Sequence, residues 1–399
     1  MTANNTLNTY GTIAKTFHWL TALLILTIIP LGVIANRLPF DTNEQLTLKA
    51  QLFSSHKTLG VIIFAVALAR ILWTLTQTKP GSLHADRKGE KLLAEIVHWL
   101  LYISLVAVPL TGWIHHAATT GFAPILLPIG QELPLVPKND IISATFAALH
   151  WIWSKILVGS ILLHVAGAIK HLLIDRDQTL QRIWFGKYEP TTAALRDSGW
   201  LAPIAAIGLY ALATGAGAAA GMFSHAQTDN AAPSLASVTS GWVVEDGNIT
   251  ITVTQLGSPV TGSFSEWTSA INFDLQGTGI LGQVTTTIAI GSMTLGSVTD
   301  QAMSADFFNV DIFPTAQFQA DISQAETGYI AEGTLTIKDI AVHVSLPFDL
   351  EIEGDLATMT GSLELDRRAF SIGDNMANET NLGFAVAVNV ALTAARATP

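Results

Sequence analysis

The run Leu149-His150-Trp151-Ile152-Trp153-Ser154-Lys155-Ile156-Leu157-Val158-Gly159-Ser160-Ile161-Leu162-Leu163-His164 sets two histidines fourteen residues apart in an apolar stretch. As a helix it rises about 1.5 Å and turns about 100° per residue, so fourteen steps advance it about 21 Å and return it nearly to the same face. One crossing helix, Ala144–Leu173, therefore offers two imidazoles to one side, one near each surface of a bilayer. Four further runs approach the roughly 20 residues needed to cross a hydrocarbon core: Phe17–Ala35, Phe53–Leu75, Leu92–Trp113 and Leu201–Phe223. The composition agrees, because a chain of 399 residues that is 49% hydrophobic and only 13% charged is too apolar for an ordinary soluble enzyme and long enough for two domains.

Charge divides the chain. Residues 1–227 carry 16 Lys+Arg against 11 Asp+Glu, whereas residues 228–399 carry 4 against 20. Ten of the eleven histidines lie in the first half. Lys and Arg flanking membrane spans collect on the cytoplasmic side. With the N-terminus inside, the inner flanks hold ten (Lys15, Lys79, Arg87, Lys88, Lys91, Lys170, Arg176, Arg182, Lys187 and Arg196), and the outer flanks hold five (Arg37, Lys49, Lys57, Lys138 and Lys155). The expectation is a multi-pass protein of the bacterial inner (cell) membrane with a cytoplasmic N-terminus and a periplasmic C-terminal domain. Met1–Thr16 is polar and has no A-x-A site close behind the first span, so no cleaved leader is expected there. The fifth span is rich in Ala, Gly and Thr over Ala211–Gly221 and is followed by Ser224-His225-Ala226, a pattern like an internal signal segment. Retention as an anchor is expected, with cleavage after Ala226 as the alternative. Gln227–Thr239 reads as a polar linker.

Beyond Ser240 the pattern alternates. Asn248-Ile249-Thr250-Ile251-Thr252-Val253, Thr334-Leu335-Thr336-Ile337 and Ser362-Leu363-Glu364-Leu365 read as half-buried strands. Glu245-Asp246-Gly247-Asn248, Gln276-Gly277-Thr278-Gly279 and Glu353-Gly354-Asp355 read as turns. About eight to ten antiparallel strands fit, closed into a barrel or packed as a sandwich.

The chemistry lies in the histidines. His18 follows the start of the first span, and His56 the start of the second, which runs the opposite way. Depth then pairs His18 with His164 near the inside and His56 with His150 near the outside. Intramembrane ionisable residues are costly and usually functional. Zinc would need four ligands around one point, whereas these lie at two depths. Haem iron takes one imidazole on each side, and two such haems in a four-helix bundle use all four residues. With no cysteine, thiolate metal sites, iron–sulfur clusters and covalent haem attachment are excluded. Arg70, fourteen residues beyond His56, falls at the inner depth, where a guanidinium suits a haem propionate or an interfacial anchor. His98 is a weaker candidate, for ligation or for a propionate. His115, His116 and His171 fall at span ends and are read as interfacial, as are Trp19, Trp99, Trp113 and Trp151. Lys49, Lys57, Lys138 and Lys155 gather on the outer side, where they could steer a small anion or meet lipid headgroups. No basic stripe suggests nucleic acid.

The segments Lys15-Thr16-Phe17-His18-Trp19-Leu20, Ser55-His56-Lys57-Thr58-Leu59-Gly60 and Leu149-His150-Trp151 through Leu163-His164 resemble the bacterial cytochrome b561 family, over about residues 8–190. The resemblance implies a dihaem four-helix bundle exchanging electrons with ubiquinone, and some members oxidise superoxide while reducing quinone. It places the haem iron ligands on His18, His56, His150 and His164. The second half is similar to the YceI family of periplasmic lipocalin-like proteins. Trp242, Val260-Thr261-Gly262-Ser263-Phe264, Ala305-Asp306-Phe307-Phe308-Asn309-Val310, Phe313-Pro314-Thr315-Ala316-Gln317-Phe318, Gly333-Thr334-Leu335-Thr336-Ile337-Lys338-Asp339 and Asp366-Arg367-Arg368-Ala369-Phe370-Ser371-Ile372-Gly373 carry that likeness. It implies a barrel holding a long isoprenoid such as a polyprenyl quinone, with Phe264, Phe273, Phe307, Phe318 and Phe348 as wall or core residues. Arg367-Arg368-Ala369 departs from the Arg-x-Asp/Glu-Phe pattern of that family.

The expected architecture is a multidomain membrane protein. Residues 8–190 form an all-α four-helix transmembrane bundle for two haem b, 191–239 a linking transmembrane helix and linker, and 240–396 an all-β antiparallel lipocalin-like barrel. The expected function is electron transfer to or from ubiquinone, with superoxide as a candidate donor and membrane lipid or a redox protein as partners. A haem-bearing anchor for a separate dehydrogenase and a non-enzymatic isoprenoid carrier are the alternatives.

Overall fold

The computed structural model describes residues 2–40, 42–81, 83–84, 86–186, 199–224, 235–274 and 279–397. The chain divides into two compact units: Met1–Leu38, Gln51–Ala118 and Pro124–His225 form one, and Pro39–Ala50, Thr119–Ala123 and Ala226–Pro399 the other.

Four long helices build most of the first unit: α1 (Thr12–Arg37), α2 (Asn43–Leu75), α3 (Lys88–Ala117) and α4 (Asp140–Lys170). Helix α2 starts ten residues before Phe53, because its polar first turns are as able to form backbone hydrogen bonds as its apolar ones. Asn139 caps α4, its side chain accepting from Ile142 N–H at 2.9 Å. A π-helical turn, His171–Asp175, extends α4, and Arg176 ends it in the left-handed conformation with φ 51°. The short α5 (Thr179–Ile183) follows, then α6 (Leu201–Ala219). Among the described residues five helices, four of them α1, α2, α3 and α6 and the fifth α4 with its π-turn, are long and apolar enough to cross a membrane. Helix α6 is part of the packed unit. Tyr210 and Ala206 are buried against Leu100, the Tyr210 hydroxyl shares a 2.5 Å hydrogen bond with Ser104, and Trp153 Nε1 donates to Thr214 at 3.1 Å. Gly217 admits Ile152, whose Cδ1 would lie 2.5 Å from a Cβ at that position. The cleavage point read after Ala226 lies outside the described residues.

The second unit contains β1 (Trp242–Gln255), β2 (Ser258–Phe264), β3 (Trp267–Phe273), β4 (Ile280–Ala289), β5 (Met293–Thr294), α7 (Thr299–Met303), β6 (Thr315–Gln324), β7 (Tyr329–Ile337), β8 (Ile340–Glu353), β9 (Leu356–Asp366) and β10 (Leu382–Arg396). Neighbours pair antiparallel in the order β10-β9-β8-β7-β6-β4-β3-β1, and β10 pairs again with β1 along most of its length. Eight strands thus close a barrel and leave no long edge to aggregate. Strand β1 divides: Trp242 faces Ile271 of β3, while Ile249–Gln255 pairs with β2, which carries β5 on its far side. Alternation sets the faces, as in β1, where Ile249, Ile251 and Val253 are buried between more exposed threonines. Their cluster includes Val260, Phe264, Ile290 and Met293, and a second one joins Ala320, Ile322, Ala331, Leu346 and Phe348. Between them runs a cavity of about 260 Å³ with almost wholly apolar walls. All five phenylalanines singled out in the sequence line it.

Arg367 and Arg368 take opposite places in the barrel. Arg367 is 3% exposed and its guanidinium donates to the carbonyls of Gly383 at 3.0 Å, Ile372 at 2.7 Å, Gly373 at 2.7 Å and Leu382 at 3.2 Å, with Met376 a further acceptor. It ties the β9 end, the following 3₁₀ turn and β10 together. Arg368 instead lies outside, pairing with Asp366 and covering Phe384 at 3.8 Å. Replacing Arg367 by Met strands several buried carbonyls, each costing about 1 kcal/mol or more. R367M is therefore expected to weaken the barrel by roughly 3 kcal/mol, seen as faster hydrogen–deuterium exchange across β9 and β10 in the intact protein. R368M should leave that exchange within experimental scatter.

Candidate haem-binding site

Two pairs of imidazoles face each other inside the helical unit. His56 of α2 and His150 of α4 have ring centres 6.4 Å apart, and His18 of α1 and His164 of α4 have theirs 6.1 Å apart. A metal–imidazole bond is about 2 Å long. Two rings on opposite sides of one metal therefore have centres roughly 6 Å apart, so each pair has the spacing that a six-coordinate haem iron requires. Fourteen residues of α4 separate the pairs, which keeps the two positions about 21 Å apart along one helix face. All four histidines expected as ligands are brought together in the expected pairs.

The outer pair is held by a device repeated on two helices. His56 Nδ1 is 3.1 Å from the Ile28 carbonyl of α1, and His150 Nδ1 is 2.9 Å from the Val108 carbonyl of α3. Since a carbonyl can only accept, each Nδ1 carries the proton and each Nε2 is left as the lone-pair ligand. Four residues further along each helix stands a glycine. A Cβ on Gly32 would lie 2.6 Å from His56 Cε1, and one on Gly112 would lie 3.0 Å from His150 Cε1. Prolines sit beside both, at positions 30 and 109, inside α1 and α3. Pro30 frees the Leu26 carbonyl, and Pro109 the Leu105 carbonyl, from the helical hydrogen-bond ladder. The signal stands in the sequence as Ile28-Ile29-Pro30-Leu31-Gly32 and Val108-Pro109-Leu110-Thr111-Gly112. Neither run contains a titratable residue, so a search for chemistry-bearing side chains passes them over.

The inner pair has more company. His98 of α3 lies 5.1 Å from the His164 ring, edge to face, with its own Nδ1 on the Ala94 carbonyl at 2.6 Å. That separation is shorter than the roughly 6 Å that an iron between two imidazoles needs, whereas the 6.1 Å between His18 and His164 fits it. Arg70 lies near enough for its charge to act on both His18 and His164. Its guanidinium rests over Tyr102 at 5.7 Å. Trp19 stacks edge-on to His18 and donates to the Ile183 carbonyl at 3.0 Å, fixing the ring from the loop side.

The outer lysines do not form one cluster. Lys57 is buried and donates to Gln131 at 3.2 Å, beside the His56–His150 pair. Lys138 donates to the Ala117 carbonyl at 3.0 Å, and Lys155 lies over Trp151 at 4.7 Å. Lys49 belongs to the second unit. His115 is engaged with Ser143 at 2.9 Å and stacks on His116 at 4.3 Å. His171, read as interfacial, instead meets His84 and Asp177, a grouping of residues far apart in sequence.

Because Gly32 leaves no room for a side chain, G32V should push His56 off its carbonyl. We expect G32V to lose most of one low-spin haem while retaining the other, measured as haem per protein and by the low-spin signals in electron paramagnetic resonance. G60A, where a Cβ meets nothing nearer than 3.7 Å, is the control expected to keep both.

Comparison with known proteins finds relatives of each part of the chain. Residues 9–186 match the prokaryotic cytochrome b561 family, and residues 242–394 match the YceI-like domain. Cytochrome b561 homolog 2 of Escherichia coli (strain K12) is 30% identical over 186 residues, which are 46% of this chain and 95% of that protein. Homolog 1 of the same organism is 24% identical over 166 residues, covering 42% and 91%. Among solved structures, Burkholderia cenocepacia BcnA is 27% identical with a TM-score of 0.35, covering 38% of this chain and 96% of its own. The chain belongs to the prokaryotic cytochrome b561 family and carries a YceI-like domain at its C-terminal end.

Proposed function

We propose that this protein oxidises superoxide at the side of the membrane that carries the His56–His150 pair and reduces ubiquinone within the bundle, with the barrel holding the quinone or a related isoprenoid. The observation that supports it is the pair of imidazole clamps at two depths, which would hold two haem b across one bilayer. A haem held between such imidazoles would supply one-electron redox chemistry, and His56, His150, His18 and His164 would leave its edge as the route for electrons. The net reaction converts two superoxide anions, one quinone and two protons into two dioxygen molecules and one quinol.

The chain's own residues serve this in distinct ways. Ile28 and Val108 fix the protonated nitrogens of His56 and His150. Lys57, buried beside that pair, offers positive charge where a small anion must approach. Arg70 supplies the counter-charge at the inner pair. The apolar barrel cavity suits an isoprenoid chain and rejects ions, since an unpaired charge there would be desolvated without a partner. In this reading the N-terminus is cytoplasmic and the barrel periplasmic, as the excess of flanking cations indicates.

A stopped-flow pulse of superoxide onto the oxidised protein with ubiquinone present tests the proposal. Rapid haem reduction followed by one quinol per two superoxide anions is expected, and H56A or H150A should abolish it with loss of about half the haem. K57M should keep its haem spectrum and slow the reaction about tenfold at low salt, the scale of electrostatic steering. Slow or absent reduction of a protein that dithionite still reduces would overturn the reading and direct attention to a partner dehydrogenase. Separately, solvent extraction of the purified protein followed by mass spectrometry should yield a long-chain isoprenoid, reduced severalfold in V388W, which fills the cavity. Equal lipid in both would remove the barrel from the proposal.

A further inference from the structure

We propose that His84, His171 and Asp177 form a binding site for a divalent transition metal of the zinc class. The site is independent of the electron-transfer reading. His84 Nε2 and His171 Nδ1 each lie 2.7 Å from the same Asp177 oxygen, Oδ2. One ligand atom from each of the three residues falls within 4.8 Å of the others. The two imidazoles are stacked, with planes 12° apart and centres 6.0 Å apart, so both present an edge in one direction. Two imidazoles and a carboxylate suit zinc-like ions rather than magnesium or calcium, which prefer all-oxygen sets. Tetrahedral ligands at about 2.0–2.1 Å from zinc lie roughly 3.3 Å apart. The two imidazole–carboxylate contacts need open by only about half an ångström, and the two imidazole nitrogens, within 4.8 Å of each other, need approach by at most about 1.5 Å.

The surroundings are those of a ligand set held in place. Asp177 Oδ1 accepts from the Thr179 N–H at 2.7 Å, leaving Oδ2 for the imidazoles. The left-handed Arg176 turns the chain so that Asp177 returns beneath His171, its N–H 3.2 Å from the His171 carbonyl. The neighbouring cations are already engaged: Arg87 and Lys170 both contact Asp175 at 2.8 Å and both also face Glu90. Side-chain exposures of 31% for His84, 26% for His171 and 12% for Asp177 give an ion a path from solvent and room for a water as fourth ligand. His171 stands seven residues beyond His164, about 10 Å along and close to the same face. Bound metal would therefore clasp the α2–α3 loop to the end of α4, two turns from the inner imidazole pair.

The test uses tag-free, haem-loaded full-length protein equilibrated with zinc and washed. Zinc and iron are counted by mass spectrometry, and the zinc K-edge spectrum is recorded. One zinc per chain with two-imidazole scattering is expected, the affinity falling at least tenfold in H84A, H171A and D177N, with H116A and the haem spectrum unchanged. No zinc above a protein-free detergent blank, or zinc held as tightly by H171A and D177N as by the parent, would overturn the proposal. If H171A does not accumulate, H84Q in the connecting loop gives the same two readings, since unchanged zinc binding there also refutes the site.

Discussion

An imidazole in the hydrocarbon core has two nitrogens and no water to satisfy them, and the organisation of the helical unit follows from that constraint. A buried donor without a partner costs a few kcal/mol, and in a membrane the only nearby acceptors are backbone carbonyls or other side chains. His56 and His150 use the carbonyls of Ile28 and Val108. Each bond fixes the tautomer and aims the other nitrogen, so the same contact that removes a penalty also prepares a ligand. The glycines four residues further along are part of the device, because the ring can reach the carbonyl only where the next turn has no side chain.

The arrangement couples all four long helices through the two imidazole pairs. Helix α4 provides one imidazole at each depth, α2 and α1 provide the opposing ones, and α1 and α3 provide the carbonyls. Helix α6 packs on α3 and α4 through Tyr210, Ala206 and Gly217. Close packing of this kind is how helices associate in lipid, where burial of apolar surface offers little driving force. Of the small residues in α6, Ala202, Ala206 and Gly217 are the buried ones, and at Gly217 Ile152 approaches closely.

The barrel satisfies the same backbone demand by closure. Pairing of β10 with β1 consumes the two edges an open sheet would expose, and Arg367 collects the carbonyls left at the turn after β9. What remains inside is an apolar cavity whose lining comes from alternate residues of nearly every strand. A charged group has no partner there, whereas a flexible hydrocarbon chain needs none.

The amino-acid sequence by itself determined the two architectures and the pairing of the four intramembrane histidines, because helical periodicity and alternation are local, and the fourteen-residue interval between His150 and His164 converts directly into depth. It also gave the antiparallel strands of the second half, with barrel and sandwich both open; the closure of β10 on β1 and the place of the five phenylalanines on the cavity wall came only with the fold. The tertiary structure alone decided which polar residues meet. His98 sits beside His164 at a distance that fits no shared iron, Lys57 is buried while Lys155 lies on a tryptophan, and Arg367 faces inward while Arg368 faces out. The backing of His56 and His150 by Gly32 and Gly112 was written in runs without titratable side chains and became legible only when the helices were packed. Likewise His84 and His171 are 87 positions apart, and no spacing rule connects them; only the path of the chain around the end of α4 brings them to one carboxylate.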